Sequence, residues 1–145
     1  MKINFKILSF PTRLDGRSIF AGTEGEVSFS HDGADILVVE NCLLVELAVF
    51  FTRWLRAIER GNIEDFYYVS MDEEEEPIFA MSYDVDSSFF QVRSCWLETS
   101  VDYRVSVGSA ACGAKDYLEE LRSRVLAEYG VDVLAVVNDI ADFEG

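Results

Sequence analysis

The apolar positions of this chain change period along its length, and the changes mark out its elements. At residues 2–10, Ile3, Phe5 and Ile7 alternate with Lys2, Asn4 and Lys6. A period of two places each set on its own face of a pleated strand, so this segment predicts a half-buried strand. Residues 11–23 hold Pro11, Gly16 and Gly22 and read as a loop. Alternation resumes at Glu26-Val27-Ser28-Phe29-Ser30, breaks at His31-Asp32-Gly33-Ala34, and returns over Ile36–Val39. Gly33 tolerates positive φ, so 25–39 predicts a hairpin.

The period then lengthens. Leu43, Leu44, Leu47, Phe50, Phe51, Trp54, Leu55 and Ile58 follow three-four spacing and form one broad helical face. The predicted helix runs from about Cys42 to Arg60. Asn41 is placed to cap it, since its side chain can accept from an early backbone N–H. Gly61 can end it in left-handed geometry, and Arg53, Arg56 and Arg60 complement the helix dipole near its C-terminus.

Four strand-like runs come next: Asp65–Met71, Ile78–Tyr83, Phe89–Leu97 and Val101–Val107. Their short connections favour antiparallel neighbours in a meander. Ser109–Gly113 is a break of small residues. Tyr117, Leu118, Leu121, Val125 and Tyr129 then predict a helix over Ala114–Tyr129, stopped by Gly130. Val133, Val136, Val137 and Ile140 suggest a short last helix, with a strand over Val131–Val137 as the alternative. The order predicts an α+β fold: an antiparallel sheet (N-terminal strand and hairpin, then a four-strand meander) packed on a long core helix, with one or two C-terminal helices. With 145 residues, no linker and no internal repeat, residues 1–145 read as a single domain.

Composition adds a charge argument. The chain has 12 basic and 27 acidic side chains, a formal net charge of −15. Such acidity argues against direct binding to nucleic acid or to anionic membranes, and favours encounter with a basic partner. Residues 1–70 hold 7 basic and 10 acidic side chains, a net of −3; residues 71–145 hold 5 and 17, a net of −12. The acidity is therefore polarised along the chain. The apolar run Leu43–Phe51 contains Glu46 and falls short of the roughly 20 residues a bilayer span takes. No secretory leader is read at the N-terminus, and Cys42, Cys95 and Cys112 are odd in number and irregularly spaced. A cytoplasmic location follows as the expectation.

Catalytic chemistry finds little to stand on. His31 is the sole histidine, in a turn beside Asp32, and no nucleophile motif accompanies it. The cysteines lack the spacing of a zinc site and read as buried structural thiols. Gly16, Gly22 and Gly25 match no phosphate-binding pattern. A glycosidase-like carboxylate pair would need two carboxyls converging in an apolar cleft, and no pair is singled out. No catalytic residue, metal or cofactor is expected.

The sharpest local feature is Asp72-Glu73-Glu74-Glu75-Glu76, five adjacent carboxylates between two aromatic-rich strands. One reading is a solvated hairpin loop that keeps its flanking strands from aggregating. The other is an acidic knob offered to basic groups of a partner. Asp84, Asp86 and Tyr67 are the neighbours that would join such a contact, tyrosine adding interface area at little entropic cost. EF-hand spacing is absent from the run.

The helix bearing Leu47, Trp54 and Leu55 and the Asp65-Phe66-Tyr67-Tyr68 strand leading to Glu76-Pro77-Ile78, in a short acidic chain, resemble small bacterial immunity proteins of contact-dependent and polymorphic toxin systems. The resemblance implies a cytoplasmic protein that binds a toxin domain and occludes its active site. It carries over no binding residue position by position. Two other readings compete: a nucleic-acid mimic that blocks a DNA-binding protein, and an acidic scaffold without inhibitory role.

Overall fold

A computed structural model describes residues 1–71, 75–97 and 103–143. In chain order they form β1 (Lys2–Ser9), α1 (Gly16–Gly22), β2 (Glu24–His31), β3 (Ala34–Leu43), α2 (Leu44–Glu59), β4 (Phe66–Tyr68), β5 (Phe79–Asp84), β6 (Phe89–Arg93), β7 (Arg104–Ser106), α3 (Val107–Tyr129) and α4 (Val133–Phe143). The architecture is α+β. The strands divide between two antiparallel sheets, a three-stranded β1-β2-β3 and a four-stranded meander β4-β5-β6-β7.

The hairpin of β2 and β3 turns through Asp32 and Gly33 at φ 53° and 81°, the paired positive values that suit right-handed strand twist. Two register shifts interrupt it, one opposite Gly25/Val27 and one opposite Phe29/Ser30. Each places an extra residue in β3. Ile36 and Leu37 are therefore buried in succession, and Glu40 and Asn41 exposed in succession. Gly25 sits where the sheet meets the helix behind it. A Cβ there would lie 2.1 Å from the Lys6 carbonyl oxygen and 2.8 Å from Leu44 Cδ1, so only glycine permits this approach.

Asn41 does not cap α2. β3 runs on through Asn41 and Cys42, and the helix starts at Leu44 behind an N-cap, Leu43, that makes no side-chain cap bond. The Leu44 N–H is satisfied by the Thr23 carbonyl at 2.9 Å instead. α2 is buried on nearly every side, as its apolar stretch requires. Phe51 stacks on Phe66 of β4 at 4.6 Å and meets Tyr117 of α3 edge-on at 5.7 Å. Arg53 and Arg56 reach α4, bonding the Ile140 carbonyl and the Asp142 carboxylate. Phe29 of β2 stacks on Phe79 of β5 at 3.9 Å, joining the two sheets.

Two other expectations change. The segment 11–23 is not all loop: Asp15 accepts from the Ser18 N–H at 2.9 Å and opens α1. Residues 109–113 are not a break but the first turns of α3, capped by Ser106 accepting from Ser109 N–H at 3.1 Å. Ala110, Gly113 and Ala114 are buried there, and their small size lets the helix lie close to its neighbours. Gly130 ends α3 in left-handed geometry, and α4 adopts the helical alternative. No helix among the described residues is long and apolar enough to cross a membrane.

Candidate functional site

The first turn of α2 places one carboxylate, Glu46, in the interior at 3% exposure. Burial of a charge is tolerated only with partners, and Glu46 has them. Tyr68 at the end of β4 donates its hydroxyl to Oε1 at 2.7 Å, and the Met71 N–H reaches Oε2 at 3.3 Å. Cys42 Sγ lies 3.7 Å from the same hydroxyl. Burial pushes the Cys42 thiol up to about 12, with Glu46 adding to the rise. Burial also holds the Tyr68 hydroxyl well above the usual tyrosine range, reinforced by Cys42 and Glu46. This cluster is a hydrogen-bonded clasp in which burial keeps the thiol and the phenol protonated, and it fixes the chain at Met71, just before the acidic run.

Asp72, Glu73 and Glu74 lie outside the described residues. Glu75 and Glu76 are exposed, ahead of a cis bond to Pro77. The far foot of the loop is pinned as well: the Pro77 carbonyl accepts from Cys95 N–H at 2.8 Å, and Ile78 N–H from β5's approach bonds the Tyr68 carbonyl at 3.0 Å. Tyr67, opposite Ala80, is 53% exposed near the foot of the loop. Glu75, Glu76 and Tyr67 thus share one end of the meander.

Asp84 and Asp86 do not join them. Asp84 closes β5 at its other end, opposite Phe89, roughly 17 Å along the strand at about 3.3 Å per residue. There its carboxylate accepts from Asp86 N–H at 3.0 Å and Ser87 hydroxyl at 3.1 Å, building the β5–β6 turn. The same end holds Asp65, which accepts from Tyr83 N–H at 2.7 Å. The expected contact set is therefore split between the two ends of one sheet.

Beside the acidic end lies a groove of about 280 Å³, lined by Val38, Val39, Glu40, Asn41 and Trp96. Four of its lining residues, Val38–Asn41, are consecutive in β3. Trp96 is 42% exposed and Val38 45% exposed. Sequence reasoning passed over both the groove and the clasp. A glutamate inside the apolar run Leu43–Phe51 was the available signal for the clasp. The groove had none, because strand order decides which edge stays open.

The remaining candidates do little chemistry. His31 is half-buried, with Nε2 3.4 Å from the Asp32 carboxylate. Only Cys42 of the three thiols is buried; Cys95 is intermediate and Cys112 exposed on α3, contrary to the expectation of three buried thiols. Among the described residues no three His, Cys, Asp or Glu side chains converge to hold a metal ion.

Residues 3–127 match the family model described as Domain of unknown function (DUF7878), and the chain belongs to that family. No curated protein and no solved structure matches it.

Proposed function

We propose that this family member is a binding protein rather than an enzyme, and that it neutralises a basic protein partner in the manner of an immunity protein, occluding the active site of a toxin domain in the cytoplasm. The observation that carries the reading is the clasped acidic end of the meander. Glu46 and Tyr68 hold one foot of the run and the Pro77–Cys95 bond holds the other, so exposed Glu75, Glu76 and Tyr67 are presented on a fixed base. A merely solubilising loop would not need such anchoring, whereas a preorganised acidic surface speeds encounter and loses little entropy on docking. The one thiol beside a carboxylate is kept protonated by burial, which suits structure better than nucleophilic chemistry.

The test has two parts. Co-expression with the C-terminal domain encoded by the neighbouring upstream gene should rescue growth and yield a stable complex. Replacing Glu73, Glu74, Glu75 and Glu76 together by glutamine should slow association at low salt, with the difference shrinking as salt screens it. No rescue and no complex would overturn the inhibitory reading. An unchanged on-rate would remove the acidic run from the contact.

A further inference from the structure

We propose that the outer edge of β3, with Trp96 beside it, receives an extended lysine- and arginine-rich segment of a protein partner as an added strand. The inference rests on the reading of the chain as a binder of a basic partner, and supplies the mode of recognition.

The two margins of the three-stranded sheet are treated differently. Along β1, α3 covers the edge: Arg124 Nη1 donates to the Phe5 carbonyl at 2.8 Å and its guanidinium lies 4.5 Å over the Phe5 ring. Along β3, a strand of 10 residues, β2 is the sole strand neighbour among the described residues. β4 and β7, at the margins of the other sheet, have 3 residues each. An uncovered edge offers a row of peptide groups to another strand, and proteins ordinarily cover or shorten such edges. Among the described residues the longest one has no strand added to it and lies beside two half-exposed apolar side chains, Val38 and Trp96. Strand addition uses that pairing of features: main-chain bonds supply affinity, and alternate side chains find pockets.

Charge selects the occupant. Glu40 is exposed on the groove. Glu75 and Glu76 lie just before Pro77, whose carbonyl is bonded to the residue preceding Trp96. The face of an indole attracts guanidinium and ammonium groups. A second copy of this chain is the poorer occupant, since it would set Glu40 against a molecule of net charge −15.

A short synthetic peptide alternating arginine and valine, titrated into the full-length chain, tests the proposal. Binding should change Trp96 emission and slow amide exchange at Leu37–Asn41. N-methylating one of the two alternate sets of peptide amides should weaken binding about tenfold, while methylating the other set is tolerated, because one set alone faces β3. Glu40→Lys and Trp96→Ala should each weaken it about fivefold. Either variant suffices if the other fails to fold. Binding insensitive to both methylation sets, with β3 exchange unchanged, overturns strand addition and leaves the basic-partner reading standing. Absence of binding overturns strand addition too, while the growth-rescue experiment decides the broader reading separately. Concentration-dependent protection of the same amides without peptide assigns the edge to a second copy and also overturns the proposal.

Discussion

Tyr68 sets its hydroxyl 2.7 Å from Glu46 Oε1, linking the last residue of β4 to the first turn of α2 across the interior. Removing that hydroxyl leaves a buried carboxylate short of a donor. Tyr68→Phe is expected to cost about 1–3 kcal/mol, the range for an unsatisfied buried group. Urea unfolding measures it. A double-mutant cycle with Glu46→Gln should show coupling between the two positions, and additivity of the single losses would deny the link.

Cys42 gives a signed pH dependence. Its thiol is raised from 9.0 to about 12 in the folded chain. Below pH 9 both states hold the proton and the group is silent. Above it the unfolded chain loses the proton first, so the native state binds more protons and stability falls as pH rises, by about 1.4 kcal/mol per unit. Tyr68 and Tyr117, also raised by burial, add losses of the same sign at higher pH. Cys42→Ala should flatten the first part of the decline in denaturation curves taken across pH 9–10. The same burial predicts that a thiol reagent labels Cys112 in the native protein but Cys42 only after unfolding.

Gly25→Ala should destabilise the fold. The new methyl would sit 2.1 Å from the Lys6 carbonyl oxygen, which is backbone of the neighbouring strand and cannot swing aside. Overpacking of this kind costs about 1–3 kcal/mol or more. Thermal melts of Gly25→Ala and Gly33→Ala separate the causes, because no atom lies within 4 Å of a Cβ at Gly33 and its penalty comes from φ alone.

Arg124→Ala removes the bond to the Phe5 carbonyl and the contact with its ring. The side chain is 41% exposed, so solvent screening keeps the loss to about 1 kcal/mol. A second effect should accompany it: with one of the groups that shield the β1 edge removed, light scattering during refolding should rise. A variant that loses stability without added scattering would show that Arg124 does not protect that edge.

Much of this fold could be read from periodicity. The strand of Ile3, Phe5 and Ile7, the Asp32–Gly33 hairpin and the helix carrying Leu47, Trp54 and Leu55 all have a local cause, one face apolar and one polar. What escaped reading depends on distant partners. Asn41 looks like a cap by residue type, yet the Leu44 N–H is met by Thr23, which precedes it by 21 positions. Ala110 and Gly113 look like part of a break because helical faces are usually recognised by bulky residues, and here the buried face is made of small ones. The division into two sheets, and with it the open edge of β3, is a matter of strand order that no local pattern encodes. The acidic run was plain in the sequence. Its separation from Asp84 and Asp86 was implicit there too, since the strand read over Ile78–Tyr83, realised as β5, lies between them.

The direct passage from β3 into α2 has a mechanical consequence. With no turn between Leu43 and Leu44, strand and helix form one stiff member whose far end is anchored against α4 through Arg53 and Arg56. Displacement at the end of β3 would pull directly on the first turn of α2, which should raise the cost of local opening at this margin. A partner gripping the edge would therefore be gripping the axle of the molecule, and any tension it applies is borne by the whole interior.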